Sequence, residues 1–249
     1  MLRIRQLAIM NTPTGLPSAG DFAVNTVWGQ QLTREQRDRV HADTRDRLLT
    51  KGTTVCRVGS PVQYWKGVMD GLVKMSVVSP EGRTSTFTGL AAGAWFGEGP
   101  VLRSNTWDFD GVAMRETRIA LVPLETFEWL LSVSPAFNRY VIHQLNERLA
   151  QSISIVEAER LELAETRVAR CLGWLFNPVL YPGAGSRLNL SHEEIGYLSG
   201  VSRQHVNRAL RLMQEAGVLM AEYGGVRVLD LKGLQRFRKT PSRDAPPLQ

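Results

Sequence analysis

The chain has 249 residues, 43% of them hydrophobic, which is enough to bury a sizeable core across two domains and excludes a disordered or fibrous protein. Thirty Lys and Arg against 24 Asp and Glu leave a net charge of +6. No apolar run approaches the roughly 20 residues that cross a bilayer, and the N-terminal MLRIRQLAIM lacks the long apolar core and cleavage site of a secretory signal. A cytoplasmic protein with no membrane partner is expected.

Chemistry is scarce in the composition. Cys56 and Cys171 are the two cysteines and stand far apart without a second thiol or His at ligand spacing, which excludes structural zinc and a four-cysteine cluster. His41, His143, His192 and His205 are scattered, so no metal site is predicted. No Ser-His-Asp series, paired-carboxylate motif or GxxxxGK argues for catalysis, and the expected class is not an enzyme, with no catalytic residues assigned.

Residues 1–20, with Pro13, Gly15, Pro17 and Gly20, read as a flexible arm. Thr33 to Leu49 is Arg-rich with apolar residues at Val40, Leu48 and Leu49, which predicts a short surface helix or helix pair. Between Gly52 and Val122 short runs rich in Val, Thr, Trp and Phe alternate with glycine turns, the texture of an antiparallel sandwich or barrel. Ser79-Pro80-Glu81-Gly82 reads as one hairpin tip and Asp110 to Val122 as one strand.

After Pro135 the period changes. Phe137, Val141, Leu145, Leu149, Ser152, Val156, Arg160 and Leu163 step by three or four residues, which predicts one long helix with a near-continuous seam, broken towards its end by Arg160. Such a seam packs against a second copy of itself or against the chain's own β domain, and periodicity does not name the partner. Thr166 to Phe176 then reads as a short amphipathic helix, followed by a loop through Gly185.

The densest signal lies from Leu190 to Gly217. Ser191 and Glu194 have the spacing of a capping box, Gly200 suits a tight turn, Ser202 caps a second helix and Gly217 ends it. Val206, Ala209, Leu210 and Met213 form a buried stripe, with Ile195, Leu198 and Val201 as partners from the first helix. Arg203, Gln204, Asn207 and Arg208 then project from the opposite face, and these side chain types hydrogen-bond guanine and adenine edges in the major groove. The bland alternative is a capped helical hairpin whose polar face meets only water. Tyr223-Gly224-Gly225 between two apolar runs predicts a hairpin wing behind the pair. From Glu165 onwards there are twelve Lys and Arg against seven Asp and Glu, so nearly all the positive excess sits here, as phosphate binding requires.

With this order of elements, and most strongly in EEIGYLSGVSRQHVNRAL, the chain resembles the CRP/FNR superfamily of bacterial transcription regulators over roughly residues 35 to 237. The resemblance implies an α+β fold: an N-terminal antiparallel β-roll of the cyclic-nucleotide-binding jelly-roll type, a long dimerisation helix and a C-terminal winged helix-turn-helix. The divisions expected are an arm over 1–20, a β-roll over 21–133, the dimerisation helix over 134–163, the DNA-binding domain over 164–239 and a flexible tail over 240–249. Ser202, Arg203, Gln204, Asn207 and Arg208 become the expected DNA-binding residues, with Arg203 and Arg208 each reading a guanine. Gln204 stands where cyclic-AMP-responsive members carry Glu, so the preference at that base should differ.

Gly97-Glu98 matches the pair that meets the ribose in cyclic-nucleotide-binding members, and Ser152 falls where their long helix offers a hydroxyl, although a polar notch in a helix seam is the more ordinary reading of Ser152. The Arg that holds the cyclic phosphate is missing. Its place falls on Asp108, Phe109 and Asp110, with Arg103 too early, so cyclic AMP is not the expected effector and no cofactor is assigned. The implied partners are double-stranded DNA, a second copy of the chain and, for an activator, RNA polymerase. Two alternatives stay open: a regulator needing no small ligand, and a cyclic-nucleotide-binding module whose helix-turn-helix contacts protein.

Overall fold

The computed structural model describes residues 17–82, 84–103, 105–182 and 184–238. The chain enters through α1 (Ala19–Val24), capped by Ser18, so the packed structure begins inside the segment expected as an arm; residues 1–16 lie outside the described residues. A 3₁₀ turn (Gly29–Gln31) and α2 (Arg34–Asp43) follow, the latter opened by a capping box between Thr33 and Gln36. The helix expected through Leu49 stops at Asp43. Arg45–Leu49 is strand β1 instead, because this stretch pairs antiparallel with a later strand and buries Leu49 while its charged residues face solvent.

The β region forms two four-stranded antiparallel sheets. Strands β2 (Thr54–Cys56), β3 (Tyr64–Asp70), β4 (Leu72–Val78), β5 (Thr84–Ala91) and β6 (Trp95–Phe96) precede the short helix α3 (Glu98–Arg103), and β7 (Asp110–Ala113) and β8 (Thr117–Pro123) follow it. Their orders are β1-β8-β3-β6 and β2-β7-β4-β5. The β-roll class is as expected, and Ser79–Gly82 is the β4–β5 hairpin tip. Asp110 to Val122 is two strands, not one. β7 pairs with β4 in one sheet and β8 with β3 in the other, and the chain changes sheet where the buried Thr117 hydroxyl bonds the Leu72 backbone.

On the β1-β8-β3-β6 sheet, between strands β3 and β6 and the helical segments that flank them, lies a cluster of Trp28, Trp65, Trp95, Phe127 and Phe137, with Trp65 and Trp95 centroids 4.3 Å apart. Phe127 comes from α4 (Leu124–Val133), a helix the sequence pattern did not separate from the β domain.

The long helix is α5 (Pro135–Leu161), with Pro135 at its first turn and Ser134 as its cap. It ends two residues before Leu163, and its seam is not continuous. Phe137 and Val141 are buried in the β domain's core, and Gln151, Ser154 and Ala158 are buried further along, whereas Ile142, Leu149, Ile153 and Val156 are 46–64% exposed. One helix therefore carries two faces, an inner one used by its own domains and an outer apolar one.

Beyond it come α6 (Ala164–Trp174), β9 (Arg187–Leu188), α7 (His192–Ser199), α8 (Arg203–Glu215), β10 (Leu219–Glu222), β11 (Gly225–Val228) and α9 (Leu231–Arg236). The wing has three strands in the order β10-β11-β9, and Gly225 belongs to a strand, leaving Tyr223 and Gly224 as its turn. Residues 239–249, including the expected tail, lie outside the described residues.

Candidate nucleic-acid interface and adjoining cavity

The helix pair forms as its capping signals require. Ser191 Oγ accepts from the Glu194 N–H at 3.2 Å while the Glu194 carboxylate accepts from the Ser191 N–H at 2.7 Å. Gly200 closes α7 in the left-handed region at φ 62°, where a side chain is strained and a Cβ would also lie 2.9 Å from the Arg167 guanidinium. Arg167 itself donates to the carbonyls of Ser199 and Gly200, both at 3.2 Å, and so fixes the turn.

On α8, Val206, Ala209, Leu210 and Met213 are buried, and Ser202, Arg203, Gln204, Asn207 and Arg208 are exposed. Ser202 is committed to capping, its Oγ accepting from the His205 N–H at 3.4 Å and lying 2.8 Å from His205 Nδ1. Arg203 makes no ion pair among the described residues. Asn207 is hydrogen-bonded to His192 at 2.5 Å, which ties the exposed polar face of α8 to the start of α7. Arg208 Nε lies 3.1 Å from a carboxylate oxygen of Glu165, whose side chain is only 5% exposed. Glu165 and His192 carried no sequence signal for this face, since contact across three helices is not written in local spacing.

The helix-turn-helix docks on the β-roll. Leu198 of α7 packs on β5 at Gly89, where a Cβ would meet Leu198 at 2.6 Å. Arg115 donates to the Asn189 carbonyl at 2.6 Å, the Tyr181 hydroxyl donates to the Gly89 carbonyl at 2.8 Å, and Lys74 lies over the Tyr197 ring.

The three expected effector residues are brought together. Gly97, Glu98 and Ser152 line one cavity of about 460 Å³ between β4, β5, α3 and α5, within the size range of small-molecule sites. Glu98 is buried, accepts from Trp65 Nε1 at 3.3 Å, and is pushed above the usual carboxylate range by desolvation, with Arg148 opposing. The Ser152 hydroxyl bonds back to the Arg148 carbonyl at 2.9 Å and is exposed at the rim. Arg148 was absent from the sequence-based set because Arg at a helical position is ordinarily a solvated charge. Here its guanidinium donates to the Trp95 carbonyl and to Gln151 Oε1, each at 3.2 Å. Gln151 in turn donates to Thr88 Oγ1 at 3.3 Å, beside the Gly89 that carries Leu198.

The cyclic phosphate position does not fit an anion. Asp108 is ion-paired with Arg103, and Asp110 accepts from the Val58 N–H at 3.0 Å. No helix among the described residues is long and apolar enough to cross a membrane.

Comparison with known proteins gives two family matches: the cyclic nucleotide-binding domain over residues 46–134 and the Crp-like helix-turn-helix domain over 166–237. The cyclic AMP receptor protein of Thermus thermophilus is 27% identical over 206 residues, covering 83% of this chain and 94% of that protein. Transcriptional regulator SdrP of the same organism is 25% identical over 175 residues, covering 70% of this chain and 83% of that one. Among solved structures, the c-di-GMP responsive global regulator CLP of Xanthomonas campestris matches with TM-score 0.56 at 25% identity, covering 79% of this chain and 99% of that one. FixK2 from Bradyrhizobium japonicum matches with TM-score 0.64 at 18% identity, covering 80% and 99%, a likeness of fold.

Proposed function

The chain belongs to the CRP/FNR family of transcription regulators, and from that membership we propose that it acts in the cytoplasm as a homodimer on an inverted-repeat operator, with a small effector in the β-roll cavity setting its DNA affinity. The observation that carries the DNA reading is α8 itself: one stripe wholly buried, and Arg203, Gln204, Asn207 and Arg208 on the free face over its first turns. An ordinary helical hairpin does not need donors and acceptors of this kind grouped where a groove would receive them.

The dimer reading rests on α5. Ile142, Leu149 and Val156 recur every seven residues and are exposed together with Ile153, a seam of the kind that two parallel helices bury against each other. Two-fold symmetry about that seam would place the recognition helices for half-sites about one helical turn apart.

Regulation follows from what α5 touches. Its inner face supplies Arg148 and Gln151 to the cavity wall, and Gln151 reaches Thr88 next to the surface on which α7 docks. A ligand that binds the two arrangements of this docking unequally shifts the population that reads DNA, and no catalytic step is required. Redox control through cysteine is less favoured, because burial pushes the thiols of Cys56 and Cys171 up to about 12 and keeps both protonated at neutral pH.

The test is selection from random duplexes by the purified protein without added ligand, followed by sequencing of the retained pool. A palindrome with one-turn spacing supports the reading and shows the ligand-free dimer to be competent. Retention that is independent of both sequence and salt overturns it.

A further inference from the structure

The cavity and the phosphate position disagree about the ligand. Cyclic nucleotides need a cation where Asp108 and Asp110 stand, and the nearby Arg103 is already held by Asp108. The cation deeper in the wall is Arg148, which bonds a backbone carbonyl and an amide oxygen and forms no salt bridge among the described residues. Two neutral acceptors leave guanidinium N–H donors unspent. Around it the wall is mostly apolar, with Met75, Phe87, Phe109 and Leu145; Glu98, Asp108 and Glu159 also line it, but Asp108 is paired with Arg103 and burial pushes the Glu98 carboxyl towards its neutral form. Phe87 and Phe109 meet edge to face at 6.0 Å, a surface suited to a ring or alkyl chain and offering little to a ribose.

We propose that the cavity takes an amphipathic organic monoanion, a carboxylate or sulfonate on an apolar body, whose charged end is held by Arg148 of α5 and whose body lies against Phe87 and Phe109. A charged group entering this wall gains charge-assisted hydrogen bonds that a neutral one does not. Its second effect is mechanical: Arg148 bonds Gln151 Oε1, so an anion that takes the spare donors and draws the guanidinium towards itself pulls on Gln151, whose Nε2 donates to Thr88 beside the α7 docking surface. The proposal rests on the effector-cavity reading and is independent of DNA recognition, which the duplex selection tests by itself.

The experiment is a fluorescence titration of the full chain with two probes sharing one aromatic body: anilinonaphthalene sulfonate, which is anionic, and N-phenyl-1-naphthylamine, which is not. Saturable binding of one sulfonate per chain, at least about tenfold tighter than the amine, is expected from a charge-assisted contact. Arg148→Gln should remove that preference while leaving amine binding in place, which also shows that the variant keeps its cavity, and Arg148→Lys should keep part of it. Millimolar cyclic AMP should not displace either probe. Equal affinity for the two probes, an unchanged preference in Arg148→Gln, or displacement by cyclic AMP would overturn the proposal.

Discussion

Arg208 Nε lies 3.1 Å from the carboxylate of Glu165, a residue on the first turn of α6 that is almost wholly buried. Pairing through Nε leaves the two terminal nitrogens of the guanidinium fork as donors that can bond guanine O6 and N7 together. We propose that Glu165 positions Arg208 for a base contact that Glu165 itself does not make. Glu165→Gln should lower the ratio of specific to non-specific DNA affinity by about tenfold, equivalent to about 1.4 kcal/mol, and relax preference at the Arg208 base pair only. Base preferences measured by competition with single-substitution operators decide this, and an unaltered profile would remove Glu165 from the interface.

Arg203 makes no ion pair among the described residues, so its truncation disturbs little of the fold. Arg203→Ala should cost about 1–3 kcal/mol of operator binding, the worth of one bidentate guanine contact, and broaden selection at a single position in each half-site. A uniform loss across all sequences would make it a phosphate contact instead.

The outer stripe of α5 predicts the assembly. Leu149 is 59% exposed and Ile153 is 61% exposed, so placing charge there does not disrupt the core of one chain. Leu149→Asp with Ile153→Asp should halve the mass seen by sedimentation while circular dichroism stays unchanged, and operator affinity should fall with it. A double variant that sediments like the wild type would place the dimer interface elsewhere.

Glu98 makes stability depend on pH. Its carboxyl is raised above the ordinary glutamate value of 4.5, chiefly by desolvation, so the folded state holds a proton that the unfolded state releases. The stabilising effect of that proton is fully present below pH 4.5 and is lost as pH rises through the folded value. Glu98→Gln should remove this dependence, making the difference in unfolding free energy from wild type shift in the variant's favour as pH rises from 4.5 to 7. A difference that is flat across that interval would mean that Glu98 ionises in the fold as it does in water.

Reading by sequence succeeded where structure is local. The capping box at Ser191 and Glu194, the turn at Gly200, the cap at Ser202 and the stripe from Val206 to Met213 each depend on residues within a few positions, and all formed as expected. An antiparallel sandwich or barrel was legible for the same reason, from glycine turns between short apolar runs, and it was the resemblance to known regulators that made it a β-roll. The resemblance to known regulators added the candidates Gly97, Glu98 and Ser152, which the fold then gathered around one cavity.

Elsewhere local pattern and long-range pairing competed, and pairing won. Arg45–Leu49 has no strand alternation of its own and became a strand because β8 offered its backbone a partner; Asp110 to Val122 split because its two halves paired in different sheets. On α5 a single 3.6-residue period could not say which residues were already spent on the chain's own core, so Phe137 and Leu149 look alike in sequence and differ completely in burial. The sequence by itself determined the helix-turn-helix and which polar side chains its second helix exposes, because capping and amphipathicity act within one or two turns. Only the tertiary structure decided that Glu165 holds Arg208 and that Arg148 faces a cavity, because an ion pair or a buried charge depends on distances across elements far apart in the chain.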